Sequence, residues 1–498
     1  MFVNKGVVQN HELNDLDINR NLLATAIYGA RLRRHLEPWL VSKSRQPPTR
    51  GAGFDTLSDT QKTEETGELT SLRAAHGKYT AAKKSLIDSV DTERKDGRLR
   101  MTDEVYNELM GNLATLELRF VGLYTAKADL MNYLHRQLTG SRPRSESANH
   151  IIGAGEPGTG KTSLMKVVGS MMAKLSLIDV PTLESYASLG KTLENAVTGD
   201  EGERIKSAKL PAEIHEKLYT RVDAPTLFAL RAASSDTSAK RPVPQVYDAG
   251  KFDSPFDGGR MAAFMRAVFR TLGSVMIIDE AYTLKNSRFT DVVDQLVALI
   301  TQLGTQWSTM LLGYGPAMAE FFDVSNIGLR RRYNATFIFE SFTASELVTI
   351  LIQNAILADN VVFADNASQV EAVADAETAE DPVVSSTIFA VLTSAYNEMG
   401  PYAMRKSGRR VNVFGSDNAG AVEKLFGALG VSAQTKYKDE PLMTLMTPSD
   451  VRGQMESGTV FGVFTDEQAA AEKLKQANQN APFAQVEDDD DNKPPRRP

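Results

Sequence analysis

Ile151-Ile152-Gly153-Ala154-Gly155-Glu156-Pro157-Gly158-Thr159-Gly160-Lys161-Thr162-Ser163-Leu164-Met165 is the stretch that decides the fold. It opens on an apolar run, turns through glycines, and continues with apolar residues at Leu164, Met165, Val167 and Val168, as a helix would. Gly155 to Thr162 fits GxxxxGK[ST] at every fixed position. Glycines let backbone N–H groups face an anion without Cβ clashes. Lys161 is placed to reach the β- and γ-phosphates of a nucleotide and the Thr162 hydroxyl to hold Mg²⁺. The helix that starts here offers its positive N-terminus to the same anion. Gly155, Glu156, Pro157, Gly158, Thr159, Gly160, Lys161, Thr162 and Ser163 are therefore the candidate nucleotide-binding residues, with ATP and Mg²⁺ as expected ligands.

Downstream, Val275-Met276-Ile277-Ile278-Asp279-Glu280 is an apolar strand ending in two carboxylates. After a phosphate loop, this pattern gives Asp279 to the metal and Glu280 to polarisation of the attacking water. Ile151–Ala154, Val275–Ile278 and Met310–Leu312 are strand-like runs that alternate with helical patterns between 120 and 340, which implies a parallel α/β sheet. From Thr343 to about Ala433 the pattern turns helical and suits a small lid. Residues 1–119 read as a helical extension. One helix is expected over Leu13–Leu36, stopping before Pro38, with a linker at Ser42–Gly53. Two more are expected around Leu69–Val90 and Val105–Leu116.

The chain has 498 residues and no cysteine, which excludes disulfides, thiolate nucleophiles and Cys-based zinc sites. Six histidines without HxxxH spacing make a dedicated metalloenzyme improbable. A net charge of −7 disfavours a global grip on nucleic acid. No apolar run is long enough to span a membrane, and the N-terminus lacks a signal core, so a cytoplasmic protein is expected.

Asp279-Glu280-Ala281-Tyr282-Thr283-Leu284 resembles the AAA+ branch that contains red-type Rubisco activase (CbbX), sporulation stage V protein K and the type VII secretion ATPases. Phe120-Val121-Gly122-Leu123 with Lys127 and Leu130, Asn149-His150, and Gly313-Tyr314 followed by Met318, Phe321-Phe322, Asn326, Gly328-Leu329 and Arg332-Tyr333 are similar to the same branch in the same order. Phe339, Glu346 and Leu347 continue the pattern. The resemblance implies an AAA+ P-loop core with a parallel sheet at 120–342, interrupted by an insertion at about 178–242. A helical lid at 343–435, an extension at 436–485 and a disordered charged tail at 486–498 complete the expected division.

The same resemblance makes Arg332 the arginine finger that serves a neighbouring subunit, with Arg330 and Arg331 as rivals. It puts Phe256 at the aromatic of a central-pore loop, although FDGG replaces the branch's YIGQ, and Tyr314 near the polar sensor after the fourth strand. Asp417-Asn418-Ala419-Gly420 stands where the branch reads GNAR, so Gly420 replaces the sensor-2 arginine, and Arg409 or Arg410 is a candidate substitute. The implied protein is an ATPase ring, expected as a hexamer, that remodels a protein partner. A slow-turnover nucleotide switch or structural ring and a nucleic-acid-associated motor or loader are the alternatives.

Overall fold

The computed structural model describes residues 15–51, 54–99, 101–139, 150–182, 184–185, 188–189, 192, 244–253, 259–325, 327–333, 335–357, 362–378, 380–407, 418–436 and 445–456. Phe256, Asn326, Arg409, Arg410, Asp417, most of the 178–242 insertion and the tail expected at 486–498 lie outside them.

In chain order, helices α1 (Asp15–Arg45), α2 (Asp59–Lys95), α3 (Asp103–Arg119) and α4 (Tyr124–Thr139) precede strand β1 (Ile151–Gly155) and α5 (Lys161–Lys174). Then come β2 (Gln245–Asp248), α6 (Arg260–Thr271), β3 (Val275–Asp279), α7 (Thr290–Leu303), β4 (Ser308–Gly313), α8 (Gly315–Val324), the single turn α9 (Ile327–Arg330) and β5 (Ala335–Phe339). The last group is α10 (Ala344–Leu357), β6 (Val362–Phe363), α11 (Ala367–Asp375), α12 (Pro382–Ser407), α13 (Asn418–Lys436), β7 (Leu445–Met446) and α14 (Pro448–Glu456).

The five long strands form one sheet in the order β2-β3-β4-β1-β5, every pairing parallel. Alternate residues divide between two cores, as the two-residue period of a strand requires. Val275, Ile277, Met310 and Leu312 enter one core, while Met276, Ile278 and Leu311 enter the other. With both faces covered, the central strands read as unbroken apolar runs, and they are buried along nearly their whole length. Parallel pairing also brings the carboxyl ends of all strands to one edge. The loop after β1, the acids after β3 and Tyr314 after β4 meet there.

The first core runs on beyond the sheet. It joins residues of α1 to α4, the sheet and the lid helices α10 to α13 in one apolar cluster. The helix expected to stop before Pro38 continues to Arg45, with Pro38 inside it. Tyr28, Leu32, Leu36, Leu40 and Ser44 recur every four residues and are all buried. Burial of that stripe against α10, α11 and α12 outweighs the roughly 3 kcal/mol a proline costs inside a helix. The Tyr28 hydroxyl donates to the Phe363 carbonyl (2.8 Å), and Arg31 donates to the Val373 (3.0 Å) and Ala376 carbonyls. The N-terminal helices thus dock on their own module, with α2 along α4 and α1 on the lid.

Beyond the residue-435 boundary expected for the lid, β7 pairs with β6 and α14 packs on α12 and α13. Among the described residues no helix is long and apolar enough to cross a membrane.

Candidate nucleotide site

The loop after β1 is shaped by contacts only glycine permits. A Cβ on Gly155 would lie 2.3 Å from the Phe339 carbonyl oxygen, so β1 and β5 can close only without it. Gly158 and Gly160 adopt φ of 67° and 78°, the left-handed region that side chains avoid. Gly160 caps α5 without a side-chain hydrogen bond, which leaves the helix's first N–H groups facing the loop.

Lys161 folds back over this loop. Its ammonium donates to the Gly155 (3.0 Å) and Glu156 (2.7 Å) carbonyls, and only 8% of the residue is exposed. Burial pulls its pKa below the usual lysine range, while Asp279, Glu280 and Glu156 oppose that shift. The Thr159 hydroxyl ties the turn to the Glu156 carbonyl (2.7 Å), and Ser341 donates to the Glu156 carboxylate (2.7 Å).

The next residue joins the loop to the acids. The Thr162 hydroxyl donates to Asp279 Oδ2 at 2.7 Å, so hydroxyl and carboxylate from two elements share one point. A hard divalent cation prefers such oxygen donors and keeps other positions for water and phosphate. The donor set therefore fits Mg²⁺ bound with a nucleotide.

Glu280 sits at the turn out of β3 with φ of 53°, a conformation that costs a non-glycine residue about 1 kcal/mol. Its own N–H donates to Asp279 Oδ1 (3.1 Å), and the Tyr282 hydroxyl donates to its carboxylate. Partial desolvation raises the Glu280 pKa above the ordinary carboxylate range; Asp279 and then Asp248 add to this, against Lys161. Asp248 ends β2 in register with Asp279. Tyr314 is half-buried at the start of α8, at the carboxyl end of β4.

The lid reaches the same loop through Asn418. This residue is fully buried with φ of 47°. Its Nδ2 donates to the Pro157 carbonyl (3.0 Å), its Oδ1 accepts from the Phe342 N–H (3.3 Å), and the next N–H, of Ala419, donates to the Gly158 carbonyl (3.0 Å). Gly420 lies one residue further along the first turn of α13, without a cation to offer. Sequence reading stopped at Gly420 and missed the fastening by Asn418, because its partners lie 76 and 261 residues away. Tyr282 and Ser341 were missed likewise. DEAYTL contained the tyrosine, but only the turn at Glu280 brings its hydroxyl to the carboxylate.

Arg332 lies elsewhere. It precedes β5, and because β5 runs parallel to β1, that position is at the opposite end of the strands from the loop. Five residues of strand separate the two edges by about 16 Å. In this chain the guanidinium rests on Thr301 Oγ1 (2.8 Å from Nη2) and the Gly328 carbonyl (2.9 Å from Nη1). Its neighbour Tyr333 is buried and bonded to Thr309 (2.6 Å), which also bonds His150 (2.8 Å). Arg330 faces Asp323 at 3.6 Å on the surface, and Arg331 is exposed.

No family model matches the chain. Among characterised proteins it is similar to the Holliday junction branch migration complex subunit RuvB of Oenococcus oeni, 27% identical over 124 residues, covering 25% of this chain and 35% of that protein. It is also similar to the ESX-3 secretion system protein EccA3 of Mycolicibacterium smegmatis, 25% identical over 276 residues, covering 54% of this chain and 35% of that one. The chain thus spans about a third of the length of these relatives. The ORC2 protein of Aeropyrum pernix, a solved structure, aligns over 69% of each chain at 14% identity and a TM-score of 0.34. The fold assignment rests on this chain's own strand order and loop rather than on that likeness. Parallel strands ordered β2-β3-β4-β1-β5, a phosphate loop after β1 and a helical lid fastened to that loop give this chain the AAA+ P-loop fold, and stretches of it are similar to RuvB and EccA3.

Proposed function

We propose that the chain hydrolyses ATP at the loop Gly155–Thr162 and works as a ring of identical subunits that remodels a protein partner. One observation carries the hydrolytic half: the bond between Thr162 and Asp279, beside a lysine folded over the loop. On this reading the loop N–H groups and Lys161 hold the phosphates, and Thr162 with Asp279 holds Mg²⁺. Bound MgATP supplies an activated phosphoanhydride and a local positive charge. Glu280 orients a water molecule and accepts its proton, with Tyr282 fixing the carboxylate. A carboxylate with a raised pKa is the better base for that step.

Arg332 supports the ring. It sits at the wrong edge of its own sheet to serve its own loop, so it completes a site only when a second subunit packs alongside. The assembly is expected to be a hexamer, as the resemblance implies. Phe256 remains the candidate for gripping an extended polypeptide. The likeness to RuvB, a Holliday junction migration subunit, raises nucleic acid as a second partner class; the net charge of −7 weighs against it. Gly420 favours one further reading, a switch that turns over slowly for want of a cation in the lid.

Steady-state ATPase activity of the full chain, measured against its concentration, tests the proposal. Specific activity is expected to rise with concentration and to fall at least about 100-fold in Glu280→Gln and Arg332→Ala. Activity independent of concentration and indifferent to Arg332→Ala would sink the shared site. Tight ATP binding with negligible turnover would leave the switch.

A further inference from the structure

A cavity of about 360 Å³ lies between the N-terminal helices and the lid. Its walls come from α1, α2, the Phe120–Gly122 segment, α10 and α12. None of these belongs to the phosphate loop, and Gly122 is followed directly by Leu123, whose side chain reaches to within 3.8 Å of a Cβ placed on Gly160. The cavity is therefore a neighbour of the nucleotide site and separate from it.

Its lining contains buried polar atoms that no described residue satisfies: Oε2 of Glu65, Oε1 of Glu346, the Tyr396 hydroxyl and Oγ of Ser44. These residues are between 2% and 8% exposed. Buried polar groups are nearly always paired, because an orphaned one costs about 1–3 kcal/mol and a charged one more. Four of them in one cavity point to a ligand.

The geometry holds these atoms in place. The Glu346 carboxylate is fixed through its other oxygen, which accepts from the Thr343 N–H (2.8 Å) and hydroxyl (2.9 Å). It presses so closely on Gly122 that a Cβ there would lie 1.9 Å from Oε1. The Tyr396 ring is sandwiched between Gly51 and Gly400, where added Cβ atoms would stand 2.7 and 3.0 Å from it. Two glycines thus make room for one ring whose hydroxyl has no described partner.

The chemistry favours a cation. Glu65, Glu68 and Glu346 line the cavity; burial raises the pKa of Glu65 and Glu346, a cost that a cation beside them would offset, and Glu117 is already paired with Arg45 and Lys83. The two cations in the lining are held over aromatic rings, Lys43 over Trp39 (5.8 Å) and Arg50 over Phe54 (4.5 Å). A buried Lys127 nearby donates to the Phe120 carbonyl (2.5 Å), and its charge acts on Glu346 and Glu117 from outside the cavity lining. Among the described residues no three acidic or histidine side chains converge as a metal site, so the acids suit an extended ligand better than a single ion. Trp39, Leu72, Phe389 and Leu392 supply an apolar wall for a stem.

We propose that this cavity binds a small organic cation, an alkylguanidinium or alkylammonium, with its charged head on Glu65 and Glu346 and its stem against Trp39 and Leu392.

Agmatine, titrated into the 498-residue chain by calorimetry, is the probe, with neutral butylurea as control. Agmatine is expected to bind one per chain with a Kd below about 1 mM. Glu65→Gln and Tyr396→Phe are each expected to weaken it at least about fivefold, with thermal midpoints within about 4 °C of the parent as the check on folding. Neither residue touches the phosphate loop, so loss of ATPase activity alone leaves this result untouched. No binding to the parent protein at about 20 mM agmatine, equal binding by butylurea, or equal affinity in both variants overturns the proposal.

Discussion

Replacing Asn418 tests how much its side chain contributes to fastening the lid to the phosphate loop, beside the backbone bond from Ala419. Asn418→Gly removes two side-chain hydrogen bonds and, with the Cβ, the strain of the left-handed backbone; Asn418→Ala removes the same bonds and keeps a Cβ at φ of 47° without the amide that lets asparagine adopt this region. The bond to the Pro157 carbonyl, at 3.0 Å, is of ordinary length, and its loss leaves a loop carbonyl unpaired at about 1 kcal/mol or more. The bond from Phe342 is longer, at 3.3 Å, and is set at the lower end, about 1 kcal/mol. Alanine in the left-handed region costs about 1 kcal/mol more than glycine there. The docked lid is thus weakened by about 2 kcal/mol in the glycine variant and about 3 kcal/mol in the alanine variant. If nucleotide binds the docked arrangement, affinity falls about 30-fold and about 150-fold respectively. Equilibrium titration with a fluorescent ATP analogue reads both values. Parental affinity in Asn418→Ala, with an unchanged thermal midpoint, would refute the fastening. Equal losses in the two variants would remove the strain from the argument.

Three other perturbations probe separate parts of the structure. Gly155→Ala puts a methyl group 2.3 Å from the Phe339 carbonyl oxygen, so β1 must part from β5; a loss of about 3 kcal/mol in urea unfolding and failure to bind nucleotide are expected, and a parental unfolding midpoint contradicts it. Tyr282→Phe removes the hydroxyl that orients Glu280, so kcat should fall about tenfold with nucleotide affinity unchanged; matching kcat values would strip Tyr282 of that role. Lys127 is fully buried, and burial pushes its pKa down to about 7. The unfolded chain holds that proton to about pH 10, so it binds more protons than the folded chain above about pH 7, and stability rises with pH there. Between pH 7 and 9 the parent should gain about 2 kcal/mol relative to Lys127→Met; parallel stability curves would mean that the amine does not titrate in this window.

The parts legible in the sequence are those whose cause is local. A phosphate loop is written in consecutive residues because backbone angles at Gly158 and Gly160 and the side chain of Lys161 follow one another in space as they do in the chain. The core strands are legible because burial on both faces demands apolar residues throughout, as in Val275–Ile278. Pro38 misled for the opposite reason. Its local penalty is real, but the stripe from Tyr28 to Ser44 is decided by lid residues more than 300 positions away, among them Phe363, which accepts from Tyr28. Asn418 and the acidic cavity share that property, since each is assembled from segments distant in sequence. Gly122 carries a positive φ and a carboxylate in van der Waals contact, yet in the sequence it is one glycine in a short motif.

The long-range contacts also bear on how nucleotide could move the molecule. The lid touches the loop at Asn418 and Ala419, and it touches α1 at Phe363, Val373 and Ala376. α1 is packed in turn on α3, and α2 lies along α4, which rests on β5. A lid that swings away from the loop must therefore either leave α1 or carry it along. Leaving would expose Tyr28, Leu32, Leu36 and Leu40, four side chains whose burial is worth about 1.5–3 kcal/mol each. That cost exceeds the roughly 2 kcal/mol assigned to the Asn418 side-chain bonds, so the interface that yields first is the one at the loop. The N-terminal helices then act as a brace that travels with the lid, and the sliding surface falls between α2 and α4 or along Phe120–Leu123. The acidic cavity borders that surface at Phe120–Gly122, and an organic cation joining Glu65 of α2 to Glu346 of α10 would tie together two parts that travel as one, strengthening the brace.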